Sequence, residues 1–110
     1  DNFDDDIAEL QKSLNELEED YENARARYQN KPNKTLKSIL DQDRADITNT
    51  QRKINRLTLR RQAQLRRLGD EAYKKAGTQD EFIKTLANGG VPQEVIVEIL
   101  AILKNDYEDN

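Results

Sequence analysis

The chain has 110 residues, 36% of them charged and 35% hydrophobic, with a net charge of −4. One domain is the expectation for that length, and so low an apolar share suits long solvated helices with apolar seams. There is no Cys and no His, which excludes Cys/His zinc sites, thiol nucleophiles and imidazole bases.

No run of roughly 18 apolar residues is present, so no membrane-crossing helix is predicted, and no signal peptide is visible. The first residue is Asp1 and the chain lacks Met, which reads as a fragment or a processed chain. No residue pattern carries a localisation signal; the cytoplasm is the default expectation. The small net charge conceals three blocks. Residues 1–23 hold ten acids and one Lys, residues 24–75 fifteen bases and five acids, and residues 76–110 two bases and seven acids. Blocks of this kind point to intramolecular pairing, to a charged partner, or to both.

The first predicted helix covers about 4–29. Asp4-Asp5-Asp6 suits its N-terminus, where carboxylates meet unpaired amides and the positive end of the dipole. From Ile7 a heptad runs without error: Ile7, Leu14, Tyr21 and Tyr28 fall seven apart, with Leu10, Leu17 and Ala24 between them. That is the two-position seam of a coiled coil. Asn30-Lys31-Pro32-Asn33 ends the helix, because Pro cannot continue it and pushes the preceding residue out of the α region. A loop so short sends the next helix back antiparallel.

The second predicted helix covers about 35–76 and outlasts the first. Leu40, Ile47 and Ile54 repeat every seven residues beside Leu36 and Leu57, but the second line also carries Asp43 and Thr50. Polar seam residues cost stability and can fix register. After Leu57 the spacing slips to Arg61, Leu65, Leu68 and Ala72, a stutter that turns the apolar stripe. Gly69 is either a C-cap or an interior glycine costing about 1 kcal/mol; continuity to Ala76, with room for a bend, is the expectation.

Gly77 then ends the helix, and Thr78 and Glu81 form a capping box for a third. Phe82, Ile83, Leu86 and Ala87 make its apolar face, and Asn88-Gly89-Gly90 breaks it. Pro92 opens a fourth helix, apolar on most sides through Val95, Ile96, Val97, Ile99, Leu100, Ile102 and Leu103. Only Glu94, Glu98 and Ala101 form a weakly polar stripe, and Asn105–Asn110 reads as a frayed acidic tail. The predicted fold is all-α: an antiparallel helical coiled-coil hairpin over 1–76, followed by a short C-terminal helix pair over 77–110.

Two candidate surfaces follow. The first is basic: Arg52, Lys53, Arg56, Arg60, Arg61, Arg66 and Arg67, with no acid between Asp46 and Asp70. Arginine favours bidentate contacts to phosphate or carboxylate. In a hairpin centred near residue 32, residue i lies opposite 64 − i. The acids of helix one could then neutralise Arg52, Lys53, Arg56 and Arg60, while Arg61, Arg66 and Arg67 would overhang its end unpaired. The segment Arg60-Arg61-Gln62-Ala63-Gln64-Leu65-Arg66-Arg67-Leu68-Gly69 resembles the basic stretch of conjugative relaxosome accessory proteins. That resemblance implies a nucleic-acid-binding accessory protein of phage or plasmid type, and no functional residue is carried over from it.

The second surface is apolar: Phe82, Leu86, Val95, Ile96, Ile99, Leu100, Ile102 and Leu103. A helix apolar on most sides must be covered on more than one of them, so a homodimer is expected. The alternative is that Leu65, Leu68, Ala72 and Tyr73 cover it within one chain. A helix-turn-helix reading of 78–100 is rejected. Its recognition helix would offer Val95, Ile96 and Val97, with no Lys or Arg before Lys104, whereas base edges and phosphates need donors.

Neither Asp4-Asp5-Asp6 nor Glu18-Glu19-Asp20 has the spacing of a calcium loop, so both are solvated faces. No catalytic residue, metal, cofactor or small-molecule substrate is expected, nor membrane insertion. The sequence points to a non-enzymatic scaffold or adaptor that self-associates and binds a protein partner, with DNA or RNA as the alternative.

Overall fold

A computed structural model describes the backbone of residues 2–108 and the side chains of residues 3–106. It holds four helices and, among the described residues, no strand: α1 (Asn2–Asn30), α2 (Lys34–Lys75), α3 (Gln79–Asn88) and α4 (Gln93–Glu108). None is long and apolar enough to cross a membrane. The chain divides into two compact units, Asp1–Leu59 and Arg60–Asn110. The division falls inside α2. Its physical reason is that the apolar residues of 65–76 belong to the core built with α3 and α4.

In the first unit, Phe3, Ile7, Leu10, Leu14, Leu17, Tyr21, Ala24 and Tyr28 are the α1 residues, among those described, that are not exposed. They keep the alternating spacing of three and four throughout, so the heptad seam is the only face α1 withdraws from water. On α2 the matching line is Leu36, Leu40, Asp43, Ile47, Thr50, Ile54 and Leu57. Asn33 starts α2 as its N-cap: its Oδ1 accepts from the Leu36 amide at 2.8 Å, satisfying one of the amides a helix start leaves open. Arg44 on α2 donates from Nη2 to the Tyr21 hydroxyl at 2.8 Å. Its guanidinium lies 5.8 Å from that ring's centroid, within cation–π range. Tyr21 and Arg44 are about equally far along the chain from Pro32. The chain therefore reverses at the turn, as a helical hairpin requires.

The second unit has a closed core. Leu65, Ala72, Phe82, Leu86, Ile96, Ile99 and Leu103 are buried together. Gly69 lies inside α2 and is itself buried. A methyl group built there would stand 2.7 Å from Ile99 Cγ2 and 3.0 Å from Leu103 Cδ1. Its missing side chain is thus what lets α4 approach α2. Leu68, which the stutter placed on the core side, is exposed instead.

The third helix begins at the predicted cap residue Thr78, with Glu81 reaching back to Gly77, one residue beyond the amide that a capping box uses. Thr78 Oγ1 accepts from the Glu81 amide, and Glu81 Oε2 accepts from the Gly77 amide at 2.9 Å. It ends in a Schellman motif, with the Val91 amide bonded to the Leu86 carbonyl at 3.1 Å and the Gly90 amide to the Ala87 carbonyl at 3.0 Å. Gly90 has φ +87°, the left-handed conformation that the motif needs and glycine adopts without a Cβ clash. Val91 and Leu86 both belong to the core assembly, so the same turn that stops α3 aims α4 back along it.

Candidate functional site

The basic residues separate into two sets according to which side of α2 they occupy. Arg52, Lys53, Arg56, Arg60 and Arg67 are all exposed. At 3.6 residues per turn Arg52, Lys53 and Arg56, which belong to the first unit, share one side of the helix, away from the seam. None of the five makes an ion pair or hydrogen bond with a described residue. Within the first unit the α1 acids from Asp4 to Glu22 are exposed, and no ion pair joins them to Arg52, Lys53 or Arg56. On a solvated surface a salt bridge gains little and costs side-chain entropy, so these charges have little drive to pair.

Arg61 and Arg66 depart from the expected free overhang. Arg61 continues the heptad line of Leu40, Ile47 and Ile54, and so points inward. Its side chain is 16% exposed and grips Glu98 bidentately, with Nη1 to Oε2 at 2.7 Å and Nη2 to Oε1 at 3.0 Å. Arg66 donates from Nε to Asp106 Oδ2 at 2.7 Å. The tail read as frayed from Asn105 onward is therefore helical as far as Glu108, with Asp106 engaged on α2; residues 109 and 110 lie outside the described part. The Arg66 pair is about half exposed, and pairs of that kind contribute at most about 1 kcal/mol.

The expected oligomer face is likewise taken up internally. Phe82, Leu86, Ile96, Ile99 and Leu103 are core residues, and Val95, Leu100 and Ile102 pack against that core half-buried. The cover comes from Leu65, Ala72 and Ala76 of α2. Val97, at 56% exposure, is the large apolar residue of α4 left in water among the described side chains.

One acid sits where the seam would favour an apolar residue. Asp43 is half-buried, and its Oδ2 is enclosed with no hydrogen-bond partner among the described residues. Burial holds its carboxyl above the ordinary aspartate range, and the charges of Asp20 and Asp46 push it the same way. Among the described residues no cluster of three or more acids could hold a metal ion.

A concave feature lies wholly within the second unit. It is a cleft of about 530 Å³ bordered by Tyr73, Ala76, Gly77, Thr78, Gln79, Phe82, Leu100, Leu103 and Lys104. No expectation drawn from the sequence pointed to it. Compared with known proteins, the chain matches no family model, no curated protein and no solved structure.

Proposed function

We propose that the chain is a non-enzymatic adaptor in which α1 and α2 form an antiparallel coiled-coil hairpin that presents a basic helix face to an acidic protein partner. The observation that carries this is the set Arg52, Lys53 and Arg56, exposed on α2 and unpaired with any described residue. Leu59, 66% exposed, follows on the same side of the helix and would give such a partner an apolar contact beside the charges. The uninterrupted seam of α1 supports the coiled coil. Self-association through Phe82, Ile96 or Ile99 is not part of the proposal, since those residues are enclosed.

An acidic protein surface suits this face better than a duplex. The exposed acids of α1 belong to the same unit and would repel a phosphate backbone, whereas a protein can place its charges selectively. Nucleic acid is the second reading, favoured by the predominance of arginine in the stretch.

The test measures fluorescence anisotropy of a labelled Glu-rich amphipathic helical peptide and, separately, of a 20-base-pair duplex, at low salt. The triple change Arg52→Glu, Lys53→Glu, Arg56→Glu is expected to weaken the peptide at least about tenfold, and added salt to weaken it in parallel. Absence of peptide binding would refute the adaptor reading. Tighter binding of the duplex, lost on the same reversal, would transfer the face to nucleic acid.

A further inference from the structure

Each helix of the first unit carries a charged stripe on the side away from its seam. On α1, Asp5, Glu9, Glu16 and Glu19 are exposed, and their spacing of four, seven and three keeps them on one side of a helix. Lys12 is the base that interrupts them. On α2 the corresponding side holds Arg52, Arg56 and Leu59, with Lys53 at its edge, all exposed. None of these charges makes an ion pair or hydrogen bond with a described residue. At about 3.6 residues per turn the stripes lie opposite the lines of Leu14 and Ala24 on α1 and of Ile47 and Ile54 on α2. In a hairpin whose seams face each other, stripes on the far sides cannot meet within one chain. Two copies can bring them together.

We infer that the chain self-associates head to tail, the acidic stripe of α1 in one copy docking on Arg52, Lys53 and Arg56 of the next. This rests on the hairpin and the basic face proposed above, and it names a partner for that face. Charge complementarity carries it: both stripes are unpaired, opposite in sign and fixed on rigid helices. Arg52 and Arg56 are four residues apart, as are Asp5 and Glu9, so charge-assisted hydrogen bonds can form in a row. Leu59 adds an apolar contact beside them. Single exposed ion pairs contribute little, so the association is weak and sensitive to salt. Acids and bases occupy different sides of each molecule, which makes the contact heterologous. One end of every assembly then keeps a free basic stripe, and an acidic partner seated there stops further growth.

The experiment is sedimentation velocity of the full chain, up to about 1 mM. In roughly 10 mM salt the weight-average mass is expected to reach at least about twice the monomer value. In roughly 1 M salt, where the Debye length has fallen from about 30 Å to about 3 Å, it should return to the monomer value. The triple change Arg52→Glu, Lys53→Glu, Arg56→Glu should abolish association, and so should Asp5→Lys, Glu9→Lys, Glu16→Lys, since each places like charges together. All six changes in one chain leave the net charge at −4 and exchange the signs of the two stripes, so that chain should self-associate as the wild type does. A monomer at every concentration, association indifferent to salt or to either triple change, or a six-change chain that stays monomeric would overturn the inference. The basic face keeps a separate readout. The Asp5→Lys, Glu9→Lys, Glu16→Lys chain retains Arg52, Lys53 and Arg56 and should bind the Glu-rich peptide. Peptide binding by a wild-type chain that stays monomeric would leave the adaptor standing and overturn the self-association alone.

Discussion

Gly69→Ala is expected to destabilise the protein by roughly 1–2 kcal/mol, although the same change in an ordinary helix interior stabilises by up to about 1 kcal/mol. The sign reverses because the new methyl would stand 2.7 Å from Ile99 Cγ2, and Ile99 is 0% exposed, with no free space to retreat into. A γ-methyl on a branched Cβ cannot swing aside as the end of a long side chain can. Leu103, the next neighbour at 3.0 Å, is touched through a terminal methyl and can yield. Ile99→Leu keeps the volume of the core residue but removes the branch. In that background Gly69→Ala should become neutral or stabilising, giving a coupling of at least about 1 kcal/mol in a double-mutant cycle. Urea denaturation of the four proteins measures it. Strict additivity would show that the close approach of α4 to Gly69 does not govern stability.

Asp43→Leu is expected to raise stability at neutral pH by roughly 1 kcal/mol, or about 4 °C in Tm. It replaces an acid on the seam, one oxygen of which is enclosed without a partner, with the residue type that the neighbouring seam positions carry. The pH dependence has a definite sign. The Asp43 carboxyl is raised in the folded state, so above that raised pKa the charged form costs the fold. As pH falls through the folded pKa, the native state takes up a proton before the unfolded chain does. The cost is then withdrawn, fully so below the unfolded value. Asp43→Asn, which removes the charge alone, should therefore gain at pH 7 and lose that advantage in the acid range. Thermal melts from pH 7 down through the carboxylate range separate the two contributions. An Asn variant with the same advantage at every pH would remove ionisation from the explanation.

The part of the fold most open to sequence reading was α1. Apart from Phe3, which extends the line one step toward the N-terminus, every described α1 residue withdrawn from water lies on the line begun by Ile7, because nothing interrupts the spacing of three and four and no other face is apolar. Local signals also carried Thr78, Glu81 and Gly77, whose interactions span only a few residues. Asn33 was hidden by Pro32: the proline explained the break, and the cap one residue later drew no notice. The error at the C-terminal end has a different origin. After Leu57, half-buried Arg61 and buried Leu65 and Gly69 follow four apart, then buried Ala72 and half-buried Ala76. A reading tied to the heptad assigned that stretch to the hairpin and kept its cover of α4, through Leu65, Leu68, Ala72 and Tyr73, only as the alternative to a second copy. Glycine carries no hydropathy signal, so a buried Gly69 is invisible to a search for apolar stripes. Arg61 and Glu98 could have been matched from sequence, since one continues a seam and the other lies on the polar stripe of α4. The pairing of Arg66 with Asp106 joins residues 40 apart in sequence, and no local pattern links them.

The single-file seam of the first unit also sets how that unit opens. Its apolar contacts are strung along a line, and the two helices are tied covalently only at the turn around Pro32. Such a structure separates as a zipper does, from the end away from the turn, with each seam residue released in succession. Among the described seam residues of that unit, Leu14, Ala24 and Leu36 are the buried ones, and all three stand on the turn side of Leu10. Amide hydrogen exchange should therefore be graded along α1, fastest near Asp5 and Asp6 and slowest around Ala24. A partner seated near the open end would slow that exchange without altering a single contact of the seam.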